Sequence, residues 1–258
     1  MTTRPNPQNL PLRPLKWYRK LAARKGRLEA DAFIVEGERA VRQVVENYTG
    51  EILEIVTVEG VTNPYTQYPH RTVTESQFSG ISQAQTPQGI LAVVRPPWEA
   101  YSDSLPRNPG KRLLLLEDIQ DPGNVGTLIR TAAAFDFSGI ILTEKSADPF
   151  SPKCVQATAG SILSVWLRRT GDYLEMVQAL KKQGYYLLAT DLNGKEDVSV
   201  LGKQDMLLLA LGNEAGGLSE AILEMSDFQL RFPTVREKAE SLNVAVCGAI
   251  CMYLTTRQ

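Results

Sequence analysis

Apolar residues recur along this chain in two rhythms, and the rhythms mark out its elements. In the first third, "FIVEG", "EILEIVTV" and "GILAVV" read as strands, with helical "GERAVRQVVENY" and "ESQFSGISQ" between them, which predicts a small α/β unit. Beyond Arg112 the apolar stretches "RLLLLE", "GIILT", "YYLLAT" and "MLLLAL" are nearly continuous, as strands buried on both faces are. They alternate with helical "NVGTLIRTAAAF", "YLEMVQALKKQG" and "LSEAILEMS", so a parallel α/β sheet is expected. Between the two regions, Arg95 to Arg112 holds four prolines and a glycine with little periodicity. The expected division is a domain over 1–96, a linker over 97–110 and a second domain over 111–258. No internal repeat or low-complexity tract interrupts it.

Three places in the second domain deliver polar residues to the start of a helix. In "EDIQDPGNVGTLIRTAAAF", Asp-Pro-Gly makes a turn and Asn124 is expected to cap the helix that follows. Val125, Leu128, Ile129, Ala132 and Phe135 form its apolar stripe; Arg130 lies off it, flanked by Gly126 and Ala133. In "LGNEAGGLSEAIL", Gly212, Gly216 and Gly217 bracket Glu214, and Ser219 is the expected cap. Those glycines serve either a tight turn or the close approach of a ligand to backbone N–H groups. In "KAESLNVAVCGAICMYL", Ser241 is expected to cap a buried helix with Asn243 in its first turn, and Ala245, Gly248 and Ala249 suit close helix packing.

Composition narrows the chemistry. The single histidine, His70, sits in the turn-like "TQYPHRT", which excludes Ser-His-Asp and Cys-His triads and histidine-rich metal sites. Three cysteines without C-x-x-C spacing fit neither a disulfide framework nor a zinc site and read as buried small hydrophobes; no metal is expected. There is no Walker loop and no G-x-G-x-x-G after a strand. No run of 18 apolar residues occurs, and "MTTRPNPQNLPLRP" has no signal-like apolar stretch, so a cytoplasmic protein with no membrane partner is expected. Net charge is only −1, yet Arg13 to Arg27 is densely basic without an acid, with Trp17 and Tyr18 interleaved. Lys16, Arg19, Lys20, Arg24 and Lys25 are the expected contacts of a single phosphate-binding helix with stacking groups.

"DPGNVGTLIRTA", "LGNEAGGLS" and "SLNVAV", in that order, resemble the three signature motifs of the SpoU branch of the SPOUT RNA methyltransferases. "SPKCVQATAGS" extends the likeness, and "FIVEGERAV" and "TPQGILAVV" resemble the family's ribosomal-protein-like substrate-binding domain. The resemblance implies a deep trefoil knot in the C-terminal domain, S-adenosylmethionine bound in a bent pose, and a homodimer through that domain that completes the RNA site. By position, Asn124, Arg130, Glu214 and Asn243 would be catalytic. Thr190, Gly212, Phe232 and Leu242 would meet the cofactor, largely through backbone, with Asn213 and Ser241 beside them. The stretch "TVREKAE" after Pro233 is more charged than the family's pattern there.

The implied reaction moves a methyl group from a sulfonium to a ribose 2′-hydroxyl of rRNA or tRNA. Arg130 is the family's candidate base, but a guanidinium with a pKa above about 12 stays protonated. Orienting a phosphate and steadying alkoxide charge suits it better, with Glu214 and Asn124 holding it in place. Two alternatives are an RNA-binding relative with the same fold and no catalysis, and a nucleotide-binding metabolic enzyme. The first would have lost Asn124, Arg130 or Glu214. The second would carry a phosphate loop and lack the basic stretch.

Overall fold

The computed structural model describes residues 13–48, 50–234, 238 and 241–256. Most of "TVREKAE" and of the N-terminal proline-rich stretch lies outside them. The chain forms two compact units, one from residues up to 97 together with 149–164, the other from 98–148 together with 165 onward.

In the first unit the order is α1 (Leu15–Lys20), α2 (Arg24–Ala30), β1 (Phe33–Glu36), α3 (Glu38–Asn47), β2 (Ile52–Val58), β3 (His70–Val73), α4 (Glu75–Ser79) and β4 (Ile90–Val94). The four strands make one sheet in the order β1-β4-β2-β3. β4 runs antiparallel to both neighbours, and β3 pairs parallel with β2. The three expected strands are present; β3 corrects the reading of His70 as part of a turn. As an edge strand it buries only Val73, so it shows no apolar run, and His70 Nε2 lies 2.9 Å from Thr57 Oγ1.

The basic stretch is also not one helix. It breaks at residues 21–23, and α2 folds back so closely that a Cβ on Gly26 would lie 2.0 Å from the Lys20 carbonyl oxygen. Several of its polar groups are structural. Tyr18 is buried and donates its hydroxyl to Glu54 Oε2 at 2.5 Å; burial, then Glu54, raise its pKa. Arg13 pairs with Glu54, and buried Arg27 donates to the carbonyls of Leu21 and Ala22. Tyr18 is therefore unavailable for stacking on a base. Lys16, Arg19, Lys20, Arg24 and Lys25 remain exposed, although Arg19 also donates to Gly80 O and Lys25 pairs with Glu29.

The second unit begins with β5 (Arg112–Leu116), α5 (Pro122–Ala134) and β6 (Gly139–Thr143). The chain then contributes α6 (Pro152–Ala157) to the first unit before β7 (Trp166–Thr170), α7 (Tyr173–Lys182), β8 (Tyr186–Lys195), β9 (Leu207–Leu211), α8 (Glu220–Met225), β10 (Phe228–Leu230) and α9 (Val244–Leu254). Six parallel strands run in the order β10-β8-β9-β5-β6-β7. Central β5, β6 and β9 are buried almost throughout, as their continuous apolar runs require. The proline-rich segment is no free tether. Arg168 of β7 donates to Ser104 O, Thr170 to Asp103, and Trp166 to Pro109 O.

α9 is not buried all round. Ala245 and Gly248 face inward, where a Cβ on Gly248 would lie 2.5 Å from Leu128 and 2.7 Å from Leu211, so these small residues serve packing within the chain. Val246, Ile250 and Tyr253, spaced by four and three residues, leave an apolar stripe exposed by 36 to 50%.

Gly26→Ala should lower stability by about 1–3 kcal/mol, because the obstructing atom is backbone and cannot swing aside. Urea unfolding checks this; an unchanged midpoint would mean that α1 and α2 can separate freely.

Candidate functional site

β5 and β9 are adjacent, and both release their loops at the C-terminal edge of the sheet, where α/β proteins bind ligands. Pairing continues one step further, Glu117 N–H donating to Leu211 O. The Glu117 side chain is 4% exposed and accepts from Ser219 N–H at 2.7 Å, Ser219 Oγ at 2.6 Å and the Tyr173 hydroxyl at 2.7 Å. Burial, followed by this hydrogen bond, pushes Tyr173 up to about 12, so it remains a donor at neutral pH. Ser219 caps α8 as expected, accepting from Ile222 N–H.

The glycine loop is closed by its own backbone. A Cβ on Gly212 would lie 2.3 Å from Gly217 C and 2.4 Å from Leu218 N, and Gly217 has φ +68°. The need for glycine at these two positions thus comes from the chain itself. Asn213 and Gly217 exchange both backbone hydrogen bonds, Asn213 Oδ1 accepts from the N–H groups of Ala215 and Gly216, and Asn213 Nδ2 donates to Asp118 O. The N–H groups of 213, 215, 216, 217 and 219 are therefore engaged within the protein, so of the two readings of the glycines the tight turn describes this loop. Asn213 uses its side chain to shape the loop.

The three motifs meet in a chain of side-chain amides. Asn243 caps α9, with Oδ1 accepting from Ala245 and Val246 N–H, and its Nδ2 donates to Asn124 Oδ1 at 3.1 Å. Asn124 Nδ2 then donates to Glu214 Oε1 at 2.8 Å. Two of the three expected caps are corrected. Asp121 caps α5, accepting from Gly123 and Asn124 N–H, which frees the Asn124 side chain, and Asn243 replaces Ser241. Arg130 is exposed and makes no hydrogen bond or ion pair among the described residues. Six residues beyond Asn124 on a helix of about 100° per residue, it leaves α5 in a different direction. Glu214 holds Asn124, then, and not the arginine as expected.

Behind this chain lies a cavity of about 500 Å³. Thr190, Gly212, Asn213, Phe232, Ser241 and Leu242 all line it, together with Glu214 and Asn243. Thr190 Oγ donates to Ala210 O where β8 and β9 separate. Asp191, Leu230, Val244 and Cys247 belong to the same wall and were missed, as was Glu117, whose only signal was an acid directly after an apolar strand. Cys154 and Cys251 are buried as expected, but Cys247 is partly exposed. Its thiol is made more acidic by a hydrogen bond from Cys251, against the effect of burial. Among the described residues no group of His, Cys, Asp and Glu is arranged to hold a metal ion.

A six-stranded parallel α/β unit with a cavity and an amide–carboxylate chain at its C-terminal edge defines a ligand-binding domain of the nucleotide-cofactor type. The SpoU rRNA methylase family model matches residues 111–253 and the MRM3-like substrate binding domain matches 14–92, and the chain belongs to the SpoU rRNA methylase family. It is 31% identical to the 23S rRNA (guanosine(2553)-2'-O)-methyltransferase RlmP of Bacillus subtilis, over 93% of this chain and 94% of that one. It is 29% identical to a 23S rRNA (uridine(2479)-2'-O)-methyltransferase of Streptomyces viridochromogenes, over 94% and 88%. The AdoMet-bound rRNA methyltransferase of Sinorhizobium meliloti superposes with a TM-score of 0.81 at 28% identity, covering 94% of each chain.

Iodoacetamide should label Cys247 before Cys154 and Cys251, with a rate that rises at a pH below the ordinary thiol value of about 8.5. Mass spectrometry of peptides reads the order. Equal labelling of all three cysteines would contradict this assignment of the cavity wall.

Proposed function

We propose that this protein transfers the methyl group of S-adenosylmethionine to the ribose 2′-hydroxyl of a structured ribosomal or transfer RNA. The observation that carries the reading is the hydrogen-bonded chain from Asn243 through Asn124 to Glu214 at the mouth of a cofactor-sized cavity. Its volume falls within the range of roughly 300–1,000 Å³ typical of small-molecule sites. Leu230, Leu242 and Val244 offer an apolar wall, while Asp191 and Glu214 add carboxylates. With the loop's donors turned inward, this lining favours a sulfonium-bearing ligand over a phosphate.

Bound there, the cofactor supplies an electrophilic methyl carbon. The protein's residues do the positioning. Thr190, Gly212, Asn213, Phe232, Ser241 and Leu242 would hold the cofactor, and Asn124, Asn243 and Glu214 would fix the ribose edge. The 2′-hydroxyl proton would leave to a phosphate oxygen or water as the oxygen accepts the methyl group. Arg130 orients that phosphate and steadies charge on the oxygen. Residues 1–96 read the RNA, with Lys16, Arg19, Lys20, Arg24 and Lys25 against phosphates, and 111–258 carry out transfer beyond a 97–110 connection. The reading includes a trefoil knot in the second domain and a cytoplasmic location. It also includes a homodimer through the exposed stripe of Val246, Ile250 and Tyr253, beside the helix that bears Arg130.

Transfer of radiolabelled methyl from S-adenosylmethionine to ribosomal RNA from a gene-deletion strain tests the reading, since a 2′-O-methyl group leaves an alkali-resistant dinucleotide. No incorporation into ribosomal or transfer RNA would overturn it. Arg130→Ala should slow single-turnover transfer on the order of 10²–10³-fold while S-adenosylhomocysteine affinity stays unchanged. A wild-type rate would remove Arg130 from the mechanism. Ile250→Glu should convert a dimer into a monomer in sedimentation, and a monomeric wild-type protein would refute the interface.

A further inference from the structure

The first unit contains a cavity of its own, of about 210 Å³, lined by residues of that unit. Its wall includes Glu36, Arg39, Gln83, Gln88 and Gln156. Three side-chain amides are thus gathered round a space too small for a whole cofactor. The frame is rigidly held. Glu36 accepts from Ser82 Oγ at 2.5 Å, Gln83 N–H at 2.8 Å and Ala84 N–H at 3.2 Å, which fixes the loop before β4. Gln88 Oε1 accepts from Glu38 N–H at the start of α3, next to Gly37 with φ +99°. α6 closes the remaining side. Phe150, just before it, packs on Phe33 at 4.8 Å between ring centres, and a Cβ on Gly160, just after it, would lie 2.9 Å from Ala40 Cα.

Gln83 Nε2 is buried and makes no hydrogen bond among the described residues. A buried amide donor is costly unless something completes it. A carboxamide presents one donor and one acceptor in the spacing of a base edge, and RNA sequence is read chiefly from unpaired bases taken into such sites. Exposed Arg39 at the rim suits the phosphate that accompanies the base. Glu36 in the wall disfavours a phosphate inside.

We propose that this cavity receives an unpaired nucleobase of the RNA substrate, whose edge is read by Gln83 with Gln156, and which is distinct from the nucleotide that is methylated. The proposal rests on the RNA methyltransferase reading. It gives base recognition a location outside the transfer motifs, which act on a ribose hydroxyl that every nucleotide presents.

The test has two arms, both on the full chain. Side-chain amide NMR signals are followed as each of the four nucleoside 5′-monophosphates is added at millimolar concentration, with ribose 5-phosphate as control. The Gln83 amide should shift with at least one base and not with the control. In methyl transfer to ribosomal RNA from the deletion strain, Gln83→Leu and Gln156→Leu should each raise KM for RNA roughly tenfold, with kcat and S-adenosylhomocysteine affinity unchanged. A Gln83 shift without any methyl transfer would sink the enzymatic reading and keep the base site. Normal transfer with unchanged KM in both folded variants, or a shift equally caused by ribose 5-phosphate, would sink the base site alone.

Discussion

A carboxylate buried at the end of a strand must collect donors, and Glu117 draws them from two other elements. Tyr173 leads α7 and Ser219 precedes α8, and the backbone N–H and hydroxyl of the latter both point at the same acid. Leaving either donor unpaired beside a charge that is 4% exposed would cost more than an ordinary hydrogen bond is worth. The loop from Gly212 to Ser219 is accordingly tied at one end by β9 and at the other by Glu117. Within that span the backbone turns back and pairs with itself, which leaves no room for a Cβ at 212 and places Gly217 at a positive φ. The position of Glu214 at the cavity mouth is the outcome of these constraints.

The orientation of the amides follows from the same kind of bookkeeping. Because Asn243 uses its oxygen to cap α9, only its nitrogen can face Asn124. That assigns the Asn124 oxygen inward and its nitrogen to Glu214, an acceptor when ionised. Three residues separated by 90 and 119 positions thereby acquire one direction of donation. A helix start sets that direction, so a change in the cap of α9 is felt at Glu214 without any contact between them.

Much of this was legible in the sequence because the second unit obeys simple rules. Strands buried on both faces show as apolar runs, and the motif residues stand where strands hand over to helices. The elements that escaped notice break those rules. β3 is an edge strand with one buried residue, β7 carries two arginines in "WLRRT", and β10 has three residues. Competition between neighbouring polar residues explains the misplaced caps: Asp121 precedes the proline that opens α5, and Asn243 stands closer to the apolar run than Ser241. The glycines left a tight turn and a ligand's approach both open, and at 212 the approaching group is the loop itself. Arg27 and Tyr18 show why a basic, aromatic stretch overstates an RNA surface: both are consumed by packing and hydrogen bonds inside the unit.

Chemistry and recognition place opposite demands on a protein of this kind. Methyl transfer acts on a ribose hydroxyl that every nucleotide presents, so residues in the roles proposed for Asn124, Glu214 and Asn243 would serve any target without reading its base. Selectivity must then come from groups that tell one base edge from another, and exposed lysines cannot do this, because a phosphate looks the same beside every base. Amides can. On the proposal made above, the cost is a carboxamide left without a partner until the correct edge arrives, and Gln83 Nε2 makes no hydrogen bond within the protein. A fixed chemistry with a variable target favours placing such a donor in a unit other than the one that carries the transfer motifs, so that its instability does not disturb the geometry of transfer.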